Sequence, residues 1–410
     1  MVDAAFKEKA LRALSTPPKY GPDVDLSKYV NLSGGGMGKE DEIKDEDVGH
    51  IAEKIGFGGG AWRRAGYVQV NEEILTSEMR KGLEKAGASV LPTYEALRKI
   101  KRLKEYSWKL IPPYKDKFTA VTYLYGKEQG YFIYVPPGVK VKDPIYTCLF
   151  ITKGQYAQLL HNIVIVDDDA ELNLITGCGI SDIPAGALHA GISEFYVGRG
   201  AKLTFAMIHA WSPRAVVRPR TAVHVKDSGE YVSYYMIYSG IDSIQAYPEV
   251  FLERNASAYL YSVVVGEGDG IYDLGASAVL RGEGASAEIV SRVIGRYRSK
   301  VIARARLIGE EGPSKGHIEC MGLAEGEKSE VSSVPELISR TPEAILTHEA
   351  AIGKISREEL MYLMSKGFSE DEARALILRG FITLPTPQLP QTVREAIGRI
   401  VKYVSSRAHG

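Results

Sequence analysis

The sequence predicts a mainly β protein whose core is a parallel β-helix, a solenoid flanked by a mixed N-terminal region and a helical C-terminal one. Two observations lead there. From about residue 115 to 345, short alternating apolar segments are separated by Gly, Asp and Asn turns, the pattern of strands. Six of these segments also recur at a nearly constant step: IVIVDDDAELNLI, EFYVGRGAKLTFAMI, AVHVKDSGEYVSYYMI, EVFLERNASAYLYSVVV, AVLRGEGASAEIVSRV and ARLIGEEGPSKGHIEC. Their turn-proximal apolar residues are Val166, Val197, Val225, Leu252, Leu280 and Ile308. The step is about 28 residues after a first one of about 31, a fixed period of the kind that marks a solenoid. One such unit cannot bury its inward face alone, and stacking supplies the core. Propeller blades are longer, leucine-rich repeats carry a Leu/Asn pattern, and helical repeats show a 3.6-residue period. An ordinary β-sandwich is the competing architecture.

The flanks read differently. Residues 4–14 form a short amphipathic helix, and a helix rich in Glu, Lys and Leu is expected over about 72–104. At the other end Ser356 and Ser369 each precede a Glu three residues on, Glu359 and Glu372, and Gly367 and Gly380 follow. Two capping boxes with C-cap glycines specify a helical hairpin. Pro385, Pro387 and Pro390 then interrupt the chain before an amphipathic helix over 392–404. The organisation expected is 1–114 mixed, 115–346 β-helix and 347–410 helical.

Composition removes several functions. The chain has 410 residues with 51 basic and 51 acidic side chains, and no long Lys/Arg block. Nucleic-acid binding, which draws its affinity from phosphate neutralisation, is not expected. No apolar run approaches about 18 residues, so no membrane helix is expected. The charged N-terminus lacks a signal-peptide core, which points to the cytoplasm. Three cysteines, Cys148, Cys178 and Cys320, make no CxxC pair and no disulfide framework. Metal chemistry would then need mixed ligands, ligands from two chains, or both. The glycine-rich SGGGMGKE (33–40) departs from a phosphate loop, with Ser33 at the first glycine position and Glu40 where a hydroxyl is required.

The run HNIVIVDDDAELNLITGC, the segments FIYVPPGVKVKDPI and HAWSP, and above all THEAAIGKISREELMYLMSKG resemble the SufB/SufD family over about residues 115–382. That resemblance implies a right-handed parallel β-helix. It also implies a scaffold, not an enzyme, that assembles a nascent iron–sulfur cluster, 4Fe-4S and transient, and passes it to apo-proteins. The partners implied are a SufC-type ABC ATPase that supplies ATP hydrolysis, a sulfur donor, and a second SufB- or SufD-like protomer. Cys320 in GHIEC and the His348–Glu349 pair match SufB positions and become the candidate metal ligands. Two positions depart from bacterial SufB: Thr347 replaces a frequent carboxylate, and Val250 in YPEVF stands where a cysteine can receive sulfur. Reduced flavin is suggested for some relatives, although no Gly-x-Gly-x-x-Gly motif occurs here.

The residues bear this out in part. A thiolate suits iron–sulfur iron and can hold a persulfide, but a lone cysteine in an alternating segment is also an ordinary buried filler. His348 and Glu349 are adjacent, so on a strand they face opposite sides and need a bend to meet one metal. Cys178 in ITGCGI reads as a turn cysteine and a possible sulfur relay, and Cys148 as buried strand. His189 and His209 read as satisfied core residues or as hydrogen-bonding support. Leu360, Leu363, Leu376 and Ile377 give the hairpin an apolar face for end-capping or for docking the ATPase. A cofactor-free interaction protein and a carbohydrate-active β-helix enzyme are the alternatives; the second needs paired acids at rung spacing, which are missing.

Overall fold

A computed structural model describes residues 4–32, 45–58, 60–75, 87–183, 185–325 and 328–384, with 394 and 398. The SGGGMGKE segment and almost all of the expected 392–404 helix lie outside the described residues.

The core is a parallel β-solenoid of about 8 turns. Each turn gives one strand to each of two facing sheets, one of ten strands and one of eleven. Among the described residues the ladders are parallel except for two hairpin-like pairs at the start, Tyr67–Val70 with Glu73–Leu75 and Ser89–Pro92 with Tyr131–Val135. A sandwich of antiparallel sheets is thereby excluded.

The repeat read from sequence is the register itself. Val166 lies beside Val197, Val197 beside Val225, Val225 beside Leu252 and Leu252 beside Leu280, all facing the interior. Burying each Val or Leu contributes about 1.5–3 kcal/mol, and every turn repeats the gain. The sixth anchor is off by one. Gly309 pairs with Leu280, whereas Ile308 pairs with Val279 and its neighbour Leu307 faces the core. That turn is one residue longer, so the pleat carries Ile308 to the outer face.

The flanks depart further from expectation. The helix expected over 72–104 is instead a strand at Glu73–Leu75, a strand at Ser89–Pro92, a helix at Thr93–Lys99 and a 3-10 turn at Lys101–Glu105. Leu97 of Thr93–Lys99, with Leu91 before it and Ile100 after it, packs against Phe132 and Ile163, and sheet pairing with Tyr131–Val135 outweighs propensity before the helix. The stretch expected to be strands from 115 opens with a helix, Lys117–Tyr125, capped by Asp116 and Thr119 reciprocally. A helix at Asp45–Lys54, unread in the sequence, lies on the outer face of the ten-stranded sheet. It explains ITGCGI. That segment is the end of the strand Glu171–Ile180 and not a turn. A Cβ on Gly177 would sit 2.2 Å from Ile55 Cδ1, and one on Gly179 would sit 2.5 Å from Ile51 Cγ2. The glycines let the helix approach, and Cys178 between them faces inward.

The C-terminal hairpin forms as its caps dictate. Ser356 caps Arg357–Ser365 and Ser369 caps Glu370–Ile382, the second as a full box with Glu372. Gly367 takes a left-handed φ of 98° as a C-terminal glycine should. Gly380 does not end its helix, which runs on to Ile382 because Ile382 and Leu378 are buried against Val290 and Ile294. The hairpin therefore packs on the outer flank of the ten-stranded sheet, and among the described residues nothing covers the end of the solenoid. The last strands there are Glu330–Ser339 and Ala344–Gly353, and the second runs across the 346/347 boundary expected between core and helical domain.

Candidate metal and sulfur site

Cys320 lies on the strand Ser314–Ala324, one rung from the open end, with its side chain 1 % exposed. Alternation turns Ile318, Cys320 and Gly322 inward. Ser291 is its register partner on one side and Ala350 on the other. Burial pushes the Cys320 thiol up from its ordinary range, while the neighbouring Ser333 and Ser291 hydroxyls pull the other way. Ser333 belongs to the facing sheet, so the thiol sits between two hydroxyls inside the coil. That setting holds a protonated thiol at neutral pH and offers donors to a charged sulfur.

His348 and Glu349 lie on the terminal strand Ala344–Gly353, and both are exposed. The strand runs unbent through them. His348 pairs with Ile318 and so shares the inward face of Cys320, whereas Glu349 pairs with Glu319 on the outer face. Glu319 is already bonded to Arg292 at 2.7 Å. Thr347 holds His317, with Oγ1 2.8 Å from Nδ1. One chain thus brings the thiol and the imidazole to one side and sends the carboxylate to the other. Among the described residues no three His, Cys, Asp or Glu side chains converge as a metal site.

Cys178 is fully buried on an inward face, and burial raises its thiol strongly. Its register partner is His209. His209 Nδ1 accepts a 3.0 Å hydrogen bond from Trp211 Nε1, and its Nε2 has no partner. The Tyr235 ring is 4.8 Å away, also with an unbonded hydroxyl, and Met207 Sδ is 3.7 Å from Cys178 Sγ. His189 Nδ1 bonds Gln158 at 2.9 Å, and burial pulls its pKa down to about 3. Both histidines are therefore neutral.

These groups belong to a polar column within the apolar core. Register stacks Thr147, Thr176, Met207, Tyr235, Ser262, Ser291 and Cys320 on the inward face of successive rungs. Thr147 and Thr176 hydroxyls are 2.7 Å apart, and Ser262 and Ser291 are 3.0 Å apart. Cys320 ends this column, and Cys178 lies beside its other end, two residues along the strand from Thr176 and against Met207. Five strand spacings separate the two cysteines, roughly 24 Å at about 4.8 Å each. Sequence reasoning missed Met207, Tyr235, Ser262 and Ser291, which look like ordinary strand residues until register aligns them. Val250 is buried between Val223 and Ala278 in the same interior, and Cys148 lies on the outer face under the Asp45–Lys54 helix.

The hairpin residues divide. Leu376 is 45 % exposed, while Leu360, Leu363 and Ile377 are half-buried. Met361 and Tyr362 beside them are more than half exposed.

A family model described as "SUF system FeS cluster assembly, SufBD core domain" matches residues 149–381. The chain belongs to the SufBD family. An "iron-sulfur cluster assembly SufBD family protein" of Methanothermobacter thermautotrophicus is 37 % identical over 391 residues, covering 93 % of this chain and 94 % of that protein. One from Archaeoglobus fulgidus is 41 % identical over 342 residues, 83 % of this chain and 90 % of the relative. One from Staphylococcus haemolyticus is 28 % identical over 417 residues, 98 % and 89 % respectively. The SufBD match spans the polar column from Thr176 on, Cys320, the terminal strand and most of the hairpin. It also places this chain in iron–sulfur cluster assembly. No helix among the described residues is long and apolar enough to cross a membrane.

Proposed function

We propose that the chain is a non-enzymatic scaffold on which a transient iron–sulfur cluster, of the 4Fe-4S type, is built at Cys320 and then passed to apo-proteins. The observation that carries this reading is the placement of Cys320. It is a thiol held between Ser291 and Ser333 inside the coil, one rung from an exposed strand that bears His348 and Glu349. Because His348 and Glu349 diverge on their own strand, a second protomer supplies what one chain cannot. The open end favours this. Its strand edge, unpaired among the described residues, and the exposed Val334, Leu337, Ile345 and Ile352 offer backbone groups and apolar surface to another solenoid end.

Cys178 acts as the sulfur relay in this reading, with the hydroxyl column leading from it toward Cys320. Val250 removes the alternative entry at that position. A SufC-type ATPase docks on the hairpin through Leu376 and its neighbours Leu360, Leu363 and Ile377. ATP-driven closure of two such subunits would pull on helices whose seam, Leu378 and Ile382, is anchored on the flank near the last rungs, and so open the buried thiol.

Anaerobic reconstitution with ferrous iron and sulfide tests the reading. Wild type and Cys148→Ser take up iron and sulfide and turn brown; Cys320→Ser takes up little. Full cluster content in Cys320→Ser defeats the assignment.

A further inference from the structure

The solenoid carries a second built site on the opposite flank from the hairpin. His161 is 1 % exposed, and its Nε2 lies 2.8 Å from Glu194 Oε2, itself fully buried. Glu194 also accepts backbone hydrogen bonds from Trp108 and Leu110 at 2.6 Å and from Ile111 at 3.1 Å. Three backbone N–H groups and the imidazole converge on this one acceptor group, which orients the ring with its N–H on Nε2. The other nitrogen, Nδ1, is left as a buried acceptor with no partner. A buried polar atom without a partner is unfavourable, which points to a group that normally meets it.

His161 forms part of the wall of a cavity of about 840 Å³. The Trp108 ring stacks on the imidazole at 4.2 Å, and Tyr123 meets Trp108 edge-on at 5.3 Å. Tyr94 also lines the space. Arg98, Lys104 and Lys127 stand exposed at its rim, against the single carboxylate of Glu128. None of the three cations is paired with a carboxylate among the described residues. The backbone is strained here too: Trp108, Lys127 and Glu128 adopt left-handed φ of 59°, 52° and 56°, a cost that tends to persist at binding sites.

We propose that this cavity binds a small nucleotide-like ligand, a planar heteroaromatic ring carrying phosphate. The ring lies against the aromatic wall, and one of its N–H groups, or a sugar hydroxyl, donates to His161 Nδ1. The phosphate meets Arg98, Lys104 and Lys127 at the rim, where charge-assisted bonds are strongest for an anion. The site is independent of Cys320 and of the open end.

Calorimetric titration of the full chain tests this with AMP, adenosine and inorganic phosphate as probes. AMP binds, and adenosine and phosphate each bind at least tenfold more weakly. The rim variant Arg98→Ala/Lys104→Ala, which touches no buried group, weakens AMP by about tenfold per lost cation contact while its melting temperature stays that of wild type. His161→Asn weakens AMP and not phosphate. Absence of AMP binding at millimolar concentration overturns the proposal. So does equal AMP affinity in the rim variant, or equal affinity for AMP and either of its halves.

Discussion

Glu194→Gln isolates what one buried carboxylate does for the flank of the solenoid. Oε2 receives Trp108 N–H and the His161 ring, and Oε1 receives Leu110 and Ile111 N–H. An amide can turn only one oxygen toward these pairs, so its NH2 meets donors on either orientation. If it faces Oε1's partners, two backbone N–H groups are orphaned. If it faces Oε2's, His161 can switch tautomer, but Trp108 N–H is still orphaned and its left-handed turn loses its anchor. Each orphaned buried donor costs about 1–3 kcal/mol, and the surviving bonds lose their charge assistance. Relief from burying a charge returns part of that. The net is about 3 kcal/mol, borne locally by residues 106–111. Hydrogen exchange read on peptides covering that segment reports it without assuming two-state unfolding of a long solenoid. Their amides are expected to exchange roughly 100-fold faster in Glu194→Gln, while peptides covering 314–324 stay as in wild type. Exchange within threefold of wild type would refute the claim that Glu194 holds this segment.

Three further outcomes follow from the same geometry. His189 titrates near 3 in the fold and His209 well below its usual value, both through burial; unfolded, each takes a proton near 6.5. Below pH 6.5 the unfolded chain binds more protons, so stability falls as pH drops, by about 2 kcal/mol from His189 alone between pH 7 and pH 5. Melting temperatures at the two pH values check this, and His189→Gln should flatten the dependence. Gly177→Val should loosen the Asp45–Lys54 helix by about 1–3 kcal/mol, since its Cβ cannot coexist with Ile55; faster exchange of that helix is the readout. On the hairpin, Leu378→Ala should cost about 2–4 kcal/mol of local stability, whereas Leu376→Ala should leave melting unchanged and weaken binding of a SufC-type ATPase in a pull-down.

The solenoid was legible because its core is written once per turn. Val166, Val197, Val225, Leu252 and Leu280 needed only a constant spacing to be seen as one stack. Ile308 shows the limit, since a single added residue in a turn moves a side chain to the other face while leaving the apolar pattern intact. The hairpin caps were readable because Ser356, Ser369 and Gly367 act through neighbours three or four residues away. Gly380 was misread because tertiary burial of Leu378 and Ile382 carried the helix past it. Glu73–Leu75 and Ser89–Pro92 were lost for the same reason, as pairing with distant strands outweighed helix-forming composition. The site was the least legible part. Cys320 and Cys178 stood out as rare residue types, but the column between them comes from cross-rung register that no local window contains. The His161–Glu194 pair joins positions 33 apart in sequence, and neither residue carries a motif.

The central claim is that Cys320 and the His348–Glu349 step complete one metal site only across two chains. Mixed dimers decide it. Cys320→Ser/His348→Ala and Glu349→Ala chains, carrying different tags, are co-expressed, and the species bearing both tags is reconstituted anaerobically for iron and sulfide analysis. If each site takes its thiol and imidazole from one chain and its carboxylate from the other, the mixed dimer keeps one of two symmetric sites and binds about half the wild-type iron. If it binds no more than either variant alone, the shared site is wrong.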